Sequence, residues 1–289
     1  MQKMLAQCVF AIIVFCHLPL HADTSVWVAT SADRTVYLGG TIHMLRHSDF
    51  PLPVEFNKAY QNAEIIIFET DIGKMNDPSV QQLVLAHMMY SDGRSLQKVL
   101  SPETYATLKA HCEKIGVPIS SLHPFKPAMA ILMLFSLELQ RMGVAQAGVD
   151  AHFYQKAIAD GKSIMELEPL EAQLAFLASM GEGNEDNFVI HAIKDFKRTR
   201  ELIEQLIVAW REGKVSAFEQ LFLADMKRDY PVLHRKLLVE RNQNWLPLIE
   251  SYFETPETEF VLVGAAHLVG EQGILKQLAK RGYTINKLR

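Results

Sequence analysis

Two β-rich segments near opposite ends of the chain constrain the fold more than any other feature. Residues 35–38 (TVYL) lead into residues 40–43 (GTIH), and residues 260–263 (FVLV) lead into residues 264–267 (GAAH). Short apolar runs of this kind predict buried strands. Since strands are stable only within a sheet, we expect the two ends of the chain to meet in one sheet.

Further strands are predicted on the same basis. Residues 26–28 and 35–38 flank a polar turn and predict a hairpin. The other predicted strands are a buried parallel strand within residues 64–69, a weaker strand at residues 162–167 and a last strand at residues 283–287.

The middle of the chain, residues 77–252, is largely helical by its apolar periodicity. Helices are predicted at residues 102–115, 127–142, 185–211, 232–253 and 269–281. The predicted fold class is α/β, with a central mixed β-sheet built from N- and C-terminal strands and a large helical insertion. No linker-like segment interrupts the sequence, so residues 23–289 are predicted to form a single domain.

The first 22 residues have the layout of a signal peptide. Lys3 precedes an apolar run over residues 4–20, and Ala22 is a small residue at a cleavable position. The run is short for a membrane span, although an uncleaved anchor is the alternative. We expect a periplasmic or secreted protein with no membrane span after cleavage. Cys112 would then be the one remaining cysteine, so no internal disulfide is expected.

Composition excludes several classes of protein. The 289 residues are 49% hydrophobic and 21% charged, which is ordinary for a globular protein. The net charge is −4, and no basic stripe is present. Nucleic acid is therefore not an expected partner.

The two Gly-x-x-His motifs predict a metal site. His43 and His267 each follow a strand, and Glu69 ends the strand within residues 64–69. Ligands bind at the carboxyl ends of parallel strands, and two imidazoles with a carboxylate form a common site for a divalent metal ion. In the alternative interpretation the histidines bond nearby backbone, and Glu69 caps a turn or pairs with a lysine.

Arg241 is predicted to be buried. It shares one helical stripe with Leu238 and Trp245. A buried guanidinium requires a partner, for which Glu69, Glu168 and Asp150 are candidates. Such a cation would orient a metal-binding carboxylate or stabilise an oxyanion. The alternative is an arginine whose stem covers the core while its head reaches water.

Two other residues have competing interpretations. Asp150 lies at a predicted helix start, where a carboxylate either caps the helix or serves the site. His152 follows one turn later and is either a ligand or a surface residue.

The ordered set of motifs resembles the TraB/GumN family, which is similar to the Tiki metalloproteases. The resemblance covers nearly all of residues 23–289 and rests on residues 36–43, 68–71, 148–150 with 152–153, 167–168 with 173, 241–242 with 245, and 263–270. It implies a metal-dependent hydrolase, with a peptide or protein as substrate. It also makes Asn242 a candidate for a residue that contacts and orients the metal ligands, with Asp150, His152 and Glu168.

The leading hypothesis is an exported metal-dependent hydrolase, with His43, Glu69 and His267 as metal ligands and with Glu69 and Arg241 as catalytic groups. A metal-bound water would be activated, with Glu69 as third ligand or general base. The first alternative is a non-catalytic periplasmic protein of the same fold that binds a metal chelate or a tetrapyrrole. The second is an interaction module of an exported signalling or polysaccharide system.

Overall fold

The computed structural model describes residues 24–289, and the predicted signal peptide lies outside them. The strands are β1 (Val26–Ser31), β2 (Arg34–Thr41), β3 (Met44–Arg46), β4 (Ile65–Phe68), β5 (Val144–Ala147), β6 (Ser163–Glu166), β7 (Glu259–Gly264) and β8 (Thr284–Lys287). Six of them form one mixed sheet in the order β6-β4-β7-β2-β1-β8, and β3 pairs with β5 in a separate ribbon.

The two ends of the chain meet in this sheet, as predicted. Strands β1 and β2 form the antiparallel hairpin, and β8 pairs antiparallel with β1. Strand β7 lies between β2 and β4 and is parallel to both, with Val263 opposite Gly40 and Leu262 opposite Phe68. The strands that precede His43, Glu69 and His267 are therefore neighbours.

The remaining elements are mostly helical. The α-helices are α1 (Val54–Asn62), α2 (Pro78–Met88), α3 (Leu96–Val99), α4 (Pro102–Lys114), α5 (Pro127–Arg141), α6 (Val149–Asp160), α7 (Leu170–Ala178), α8 (Glu185–Arg211), α9 (Val215–Phe218), α10 (Ala224–Asp229), α11 (Pro231–His234), α12 (Arg241–Ser251), α13 (Ala265–Leu268) and α14 (Ile274–Lys280). Two stretches, Glu219–Leu223 and Arg235–Glu240, are π-helical. The predicted fold class is confirmed.

Three local predictions need correction. The predicted helix at residues 269–281 is shorter and begins only at Ile274, because Gly270 has a φ of +86° and turns the chain between α13 and α14. The predicted helix at residues 232–253 is broken into α11, a π-helical stretch and α12. Strand β5 lies in the stretch predicted to be helical and is held by its pairing with β3.

Aromatic side chains dominate the core beside the sheet. Phe56 contacts Phe153, Trp210 and Phe260, with ring centroids 5.8 to 6.4 Å apart. A second apolar cluster lies between α3, α4, α5 and α8. Cys112 is buried there as a free thiol, and burial raises its pKa to about 11, which makes it unreactive.

None of the helices within residues 24–289 combines the length and the apolar character that crossing a bilayer requires. The longest helix, α8, has 27 residues but carries charged side chains throughout.

Candidate active site

The sheet brings the three predicted metal ligands to one edge. Because β4, β7 and β2 are adjacent and parallel, their carboxyl ends lie side by side. Glu69 directly follows β4, and His267 lies in α13, directly after β7. His43 occupies the short gap between β2 and β3.

Glu69 is buried, and both of its carboxylate oxygens accept hydrogen bonds. Oε1 accepts from the backbone N–H of Gly264 at 2.7 Å. Oε2 accepts from Nη2 of Arg241 at 2.5 Å and from Nε2 of Gln173 at 3.3 Å. A Cβ at position 264 would lie 3.2 Å from Oε1, so glycine allows the backbone to approach the carboxylate this closely.

Arg241 connects the buried polar groups of the site. Its Nη2 also donates to Oε1 of Glu168 at 2.7 Å, and its Nε donates to the same oxygen at 3.0 Å. Its Nη1 lies 3.1 Å from Nε2 of His267 and 3.4 Å from the Leu237 carbonyl oxygen. The guanidinium stacks 4.5 Å from the ring centre of Trp245.

The prediction that Arg241 is buried and paired is confirmed. The residue is 9% exposed, which excludes the alternative of a head group in water. Its partners are Glu69 and Glu168. Asp150, the third candidate partner, pairs with His43 because α6 places it beside β2.

Asn242 fixes the ring of His267. Its amide nitrogen donates to the backbone carbonyls of His267 and Gln272, which assigns its Oδ1 as an acceptor. That oxygen lies 2.7 Å from Nδ1 of His267, so Nδ1 carries the proton. The lone pair of Nε2 therefore faces Arg241 and Glu69, whose Oε1 is 3.9 Å away.

Burial and charge set the ionisation of this cluster. Burial lowers the pKa of His267 to about 3, so the imidazole is neutral at pH 7. Burial would raise the pKa of Glu69, but the positive potential of His267, Arg241 and His43 and the Gly264 hydrogen bond lower it to about 2. Because His267 is neutral at pH 7, Arg241 and His43 are the cations that keep Glu69 ionised there.

His43 forms a second histidine–oxygen pair at the same sheet edge. Its Nδ1 lies 2.9 Å from Oδ2 of Asp150, while its side chain is 65% exposed. The charge of Asp150 and its hydrogen bond raise the pKa of His43 to about 9. The other oxygen of Asp150, Oδ1, is buried without a hydrogen-bond partner among the described residues.

The start of α6 is hydrogen-bonded to the backbone of Ile42 and His43. The N–H of Gly148 donates to the His43 carbonyl at 2.9 Å, and the N–H of Val149 donates to the Ile42 carbonyl at 3.1 Å. A Cβ at position 148 would lie 1.8 Å from the Ile42 oxygen. Only glycine permits this approach, which carries Asp150 to His43.

The four candidate supporting residues have different positions. Asp150, Glu168 and Asn242 contact His43, Arg241 and His267 respectively. The ring of His152 instead packs against Phe50, with centroids 5.7 Å apart, and burial lowers its pKa.

The chemistry of the donors fits a divalent metal ion. Each site histidine has its Nδ1 bonded to a side-chain oxygen, which is the arrangement that leaves Nε2 for a metal. Glu69 is ionised and His267 is neutral at pH 7, as ligands must be, whereas His43, whose pKa Asp150 raises, must lose a proton to bind an ion. Within residues 24–289, however, no group of three or more His, Cys, Asp or Glu side chains is arranged to hold an ion. Instead, Nε2 of His267 lies 3.1 Å from Nη1 of Arg241.

Sequence reasoning gave no role to three groups at this site. They are the Gly264 N–H and Gln173 amide, which bind Glu69, and the Trp245 indole, whose N–H donates to Oε2 of Glu168 at 3.2 Å. The helical stripe of Arg241 already contained Trp245, and that was the available signal. For Gln173 the sequence carried no signal beyond its place in the family pattern, because only the tertiary fold brings α7 to the site.

Comparison with known proteins gives a consistent result. The model of the TraB/PrgY/gumN family matches residues 25–287. Protein YbaP of Escherichia coli and its counterpart in Shigella flexneri are each 25% identical over 256 residues, which is 87% of this chain and 90% of theirs. Metalloprotease TIKI1 of Danio rerio is 34% identical over 91 residues, which is 31% of this chain and 18% of that protein. No solved structure is significantly similar.

Proposed function

This chain belongs to the TraB/PrgY/gumN family, and we propose that it is an exported metal-dependent hydrolase that cleaves peptide bonds. The observation that carries the proposal is the pair of histidines at neighbouring strand ends, each with Nδ1 bound to a side-chain oxygen. The partial similarity to a metalloprotease supports the reaction class. The signal-peptide pattern of residues 1–22 supports export to the periplasm or beyond.

His43, Glu69 and His267 would hold the ion, which when bound polarises a carbonyl group and lowers the pKa of water. Asn242 and Asp150 would orient the two imidazoles through Nδ1. For His267 to act in this way, Nη1 of Arg241 must leave Nε2.

Glu69 acts as a ligand rather than as the general base in this proposal. A pKa of about 2 makes its carboxylate a poor proton acceptor near pH 7, where an efficient base has a pKa near the working pH. The same low pKa keeps Glu69 in the ionised form that a metal ligand requires.

Arg241 serves as a positioning residue. With the His267 contact given up, its guanidinium nitrogens still donate to Glu168, Glu69 and the Leu237 carbonyl. Of the two roles that the sequence left open, orientation of a carboxylate is therefore favoured over direct stabilisation of an oxyanion.

Metal analysis of the purified protein with a peptidase assay tests this proposal. We expect the parent to bind a divalent ion and cleave peptides, and His43→Ala and His267→Ala to lose both properties. His191→Ala is the matched control, since His191 is exposed on α8. If both site variants bind metal and hydrolyse peptides like the parent, the proposal is wrong.

A further inference from the structure

A cleft of about 400 Å³ opens beside the buried ion-pair cluster. Glu168, Arg241 and Gln173 line its inner end, and α7 and the segment from Lys236 to Asn244 form its two sides. The volume is in the range of small-ligand sites, so the cleft suits a short segment of a chain and not a folded domain.

The two sides of the cleft differ in chemistry. The α7 side presents Ala172, Ala175 and Phe176, which fall on one helical face and leave apolar surface open to the cleft. The opposite side presents Lys236, Glu240 and Asn244 at intervals of one helical turn. One side therefore suits an apolar side chain, and the other suits polar groups.

Asn244 supplies a hydrogen-bonding group to the polar side. It is exposed on α12, and its amide has no hydrogen-bond partner in the part of the chain that the structure describes. A side-chain amide offers both a donor and an acceptor, which is what a peptide backbone requires. Glu240, by contrast, lies 3.6 Å from Arg235 and is already paired.

We propose that this cleft binds the substrate as a short extended peptide, with an aromatic or large aliphatic side chain against Phe176 and its backbone amide on Asn244. The proposal rests on the proposed peptidase function and adds where the peptide binds and which side chain it carries. Its support is that Glu168 and Arg241 line the cleft, so a peptide held there contacts the ion pair whose guanidinium in turn contacts Glu69 and His267.

Titration calorimetry with blocked pentapeptides tests the assignment. The peptides are acetylated and amidated and differ only in a central Phe, Leu, Ala or Asp, and mass spectrometry of the same samples reports cleavage. We expect the parent to bind the Phe and Leu peptides about tenfold more tightly than the Ala and Asp peptides.

Two variants separate the two sides of the cleft. Phe176→Ala should remove the preference for Phe and leave binding of the Ala peptide unchanged. Asn244→Ala should weaken all four peptides by roughly three- to tenfold, the effect of one hydrogen bond. Ile158→Ala, an exposed apolar change on α6 outside the cleft, is the control and should bind like the parent.

Ala175→Trp provides a test that does not depend on removing a half-buried ring. Ala175 is exposed, so the larger side chain fills the cleft without entering the core, and binding of all four peptides should be lost.

The outcomes separate the cleft from the reaction. Binding with the expected preference but without cleavage supports the cleft and contradicts the peptidase. Cleavage whose preference is unchanged in Phe176→Ala and Ala175→Trp overturns the cleft and leaves the peptidase standing. Failure of the parent to bind any of the peptides also overturns the cleft assignment.

Discussion

Asn242 holds His267 at both its ring and its backbone. The Oδ1 of Asn242 lies 2.7 Å from Nδ1 of the imidazole, and the amide nitrogen donates to the His267 carbonyl at 3.1 Å. One side chain thus fixes the tautomer, the ring orientation and the local backbone of a buried histidine. A carboxylate or carbonyl usually does this for a metal-binding histidine, and here an amide does so without adding charge.

The Asn242→Ala variant should lose both stability and metal affinity. It leaves Nδ1 of His267 and two backbone carbonyls without partners, and each buried unsatisfied group costs roughly 1–3 kcal/mol. Loss of a group that orients a metal ligand typically weakens metal binding by about 10- to 100-fold. Urea unfolding and metal titration measure the two effects.

Asn244→Ala is the matched control for stability, because this exposed asparagine lies two positions away. Its unfolding free energy should stay within about 0.5 kcal/mol of the parent. Equal stability of the two variants would contradict the role assigned to Asn242.

Arg241→Ala should be among the most destabilising substitutions in the site. It leaves the buried carboxylates of Glu69 and Glu168 without their cation, and breaking a buried pair in this way costs about 3–5 kcal/mol. Chemical denaturation measures the change. Arg235→Ala removes an exposed arginine from the same segment and should cost less than about 0.5 kcal/mol.

The added change Glu168→Gln distinguishes charge from packing. If uncompensated charge is the cause, the double variant should regain part of the lost stability. If packing is the cause, it should be no more stable than Arg241→Ala.

Glu69→Gln should weaken metal binding and also lower stability. Glutamine retains an oxygen that accepts from the Gly264 N–H, but its amide nitrogen then faces the Arg241 and Gln173 donors, and the ligand charge is lost. Metal affinity, measured by titration, should fall by about tenfold or more, as it does when other groups around a metal are lost. Peptide turnover should fall as well. Unchanged metal affinity with abolished turnover would instead assign Glu69 as the general base.

The His43–Asp150 pair should be visible in a titration of the metal-free protein. The pKa of His43 is raised to about 9 by Asp150, so Asp150→Asn should lower it toward 6.5. The contribution of the His43–Asp150 pair to stability is present below pH 6.5 and is lost as the pH rises through 9. The chemical shift of the His43 ring protons measures the His43 pKa in the parent and in Asp150→Asn. A His43 pKa near 6.5 in the parent would contradict the pairing.

Stability should fall as the pH decreases from about 6.5 toward 3. In this range an unfolded His267 binds a proton that the folded, buried ring does not, because its folded pKa is about 3. The contribution is up to about 1.4 kcal/mol for each pH unit. Below pH 4.5, Glu69 acts in the same direction, since its folded pKa is about 2.

His267→Gln should flatten the dependence between pH 6.5 and 4.5, as measured by urea unfolding at several pH values. A variant with the same slope as the parent in this interval would contradict the buried, neutral state of His267.

The sequence was sufficient to predict the central sheet and the burial of Arg241. Continuous apolar runs mark β4, which is flanked by Glu64 and Glu69, and β7, which ends in Gly264. The stripe shared with Leu238 and Trp245 places Arg241 inward. These patterns are local, so a single sequence carries them.

The partners of the site residues could not be predicted in the same way. Asp150 reaches His43 because the backbone N–H of Gly148 donates to the backbone carbonyl of His43, just after β2. The apolar periodicity of α6 does not indicate this contact. The ribbon of β3 and β5 could not be predicted either, since strands of three and four residues are too short to show an alternation of apolar and polar residues.

The position of β7 has a consequence for the order of events during synthesis. This strand separates β2 from β4 and carries the backbone that binds Glu69, yet it comes from residues 259–264, close to the C-terminus. A ribosome-bound chain that ends before β7 lacks the centre of its sheet, and Glu69 and His43 then have no common edge on which to meet. The site therefore assembles only when translation is almost complete, and nascent chains are without it.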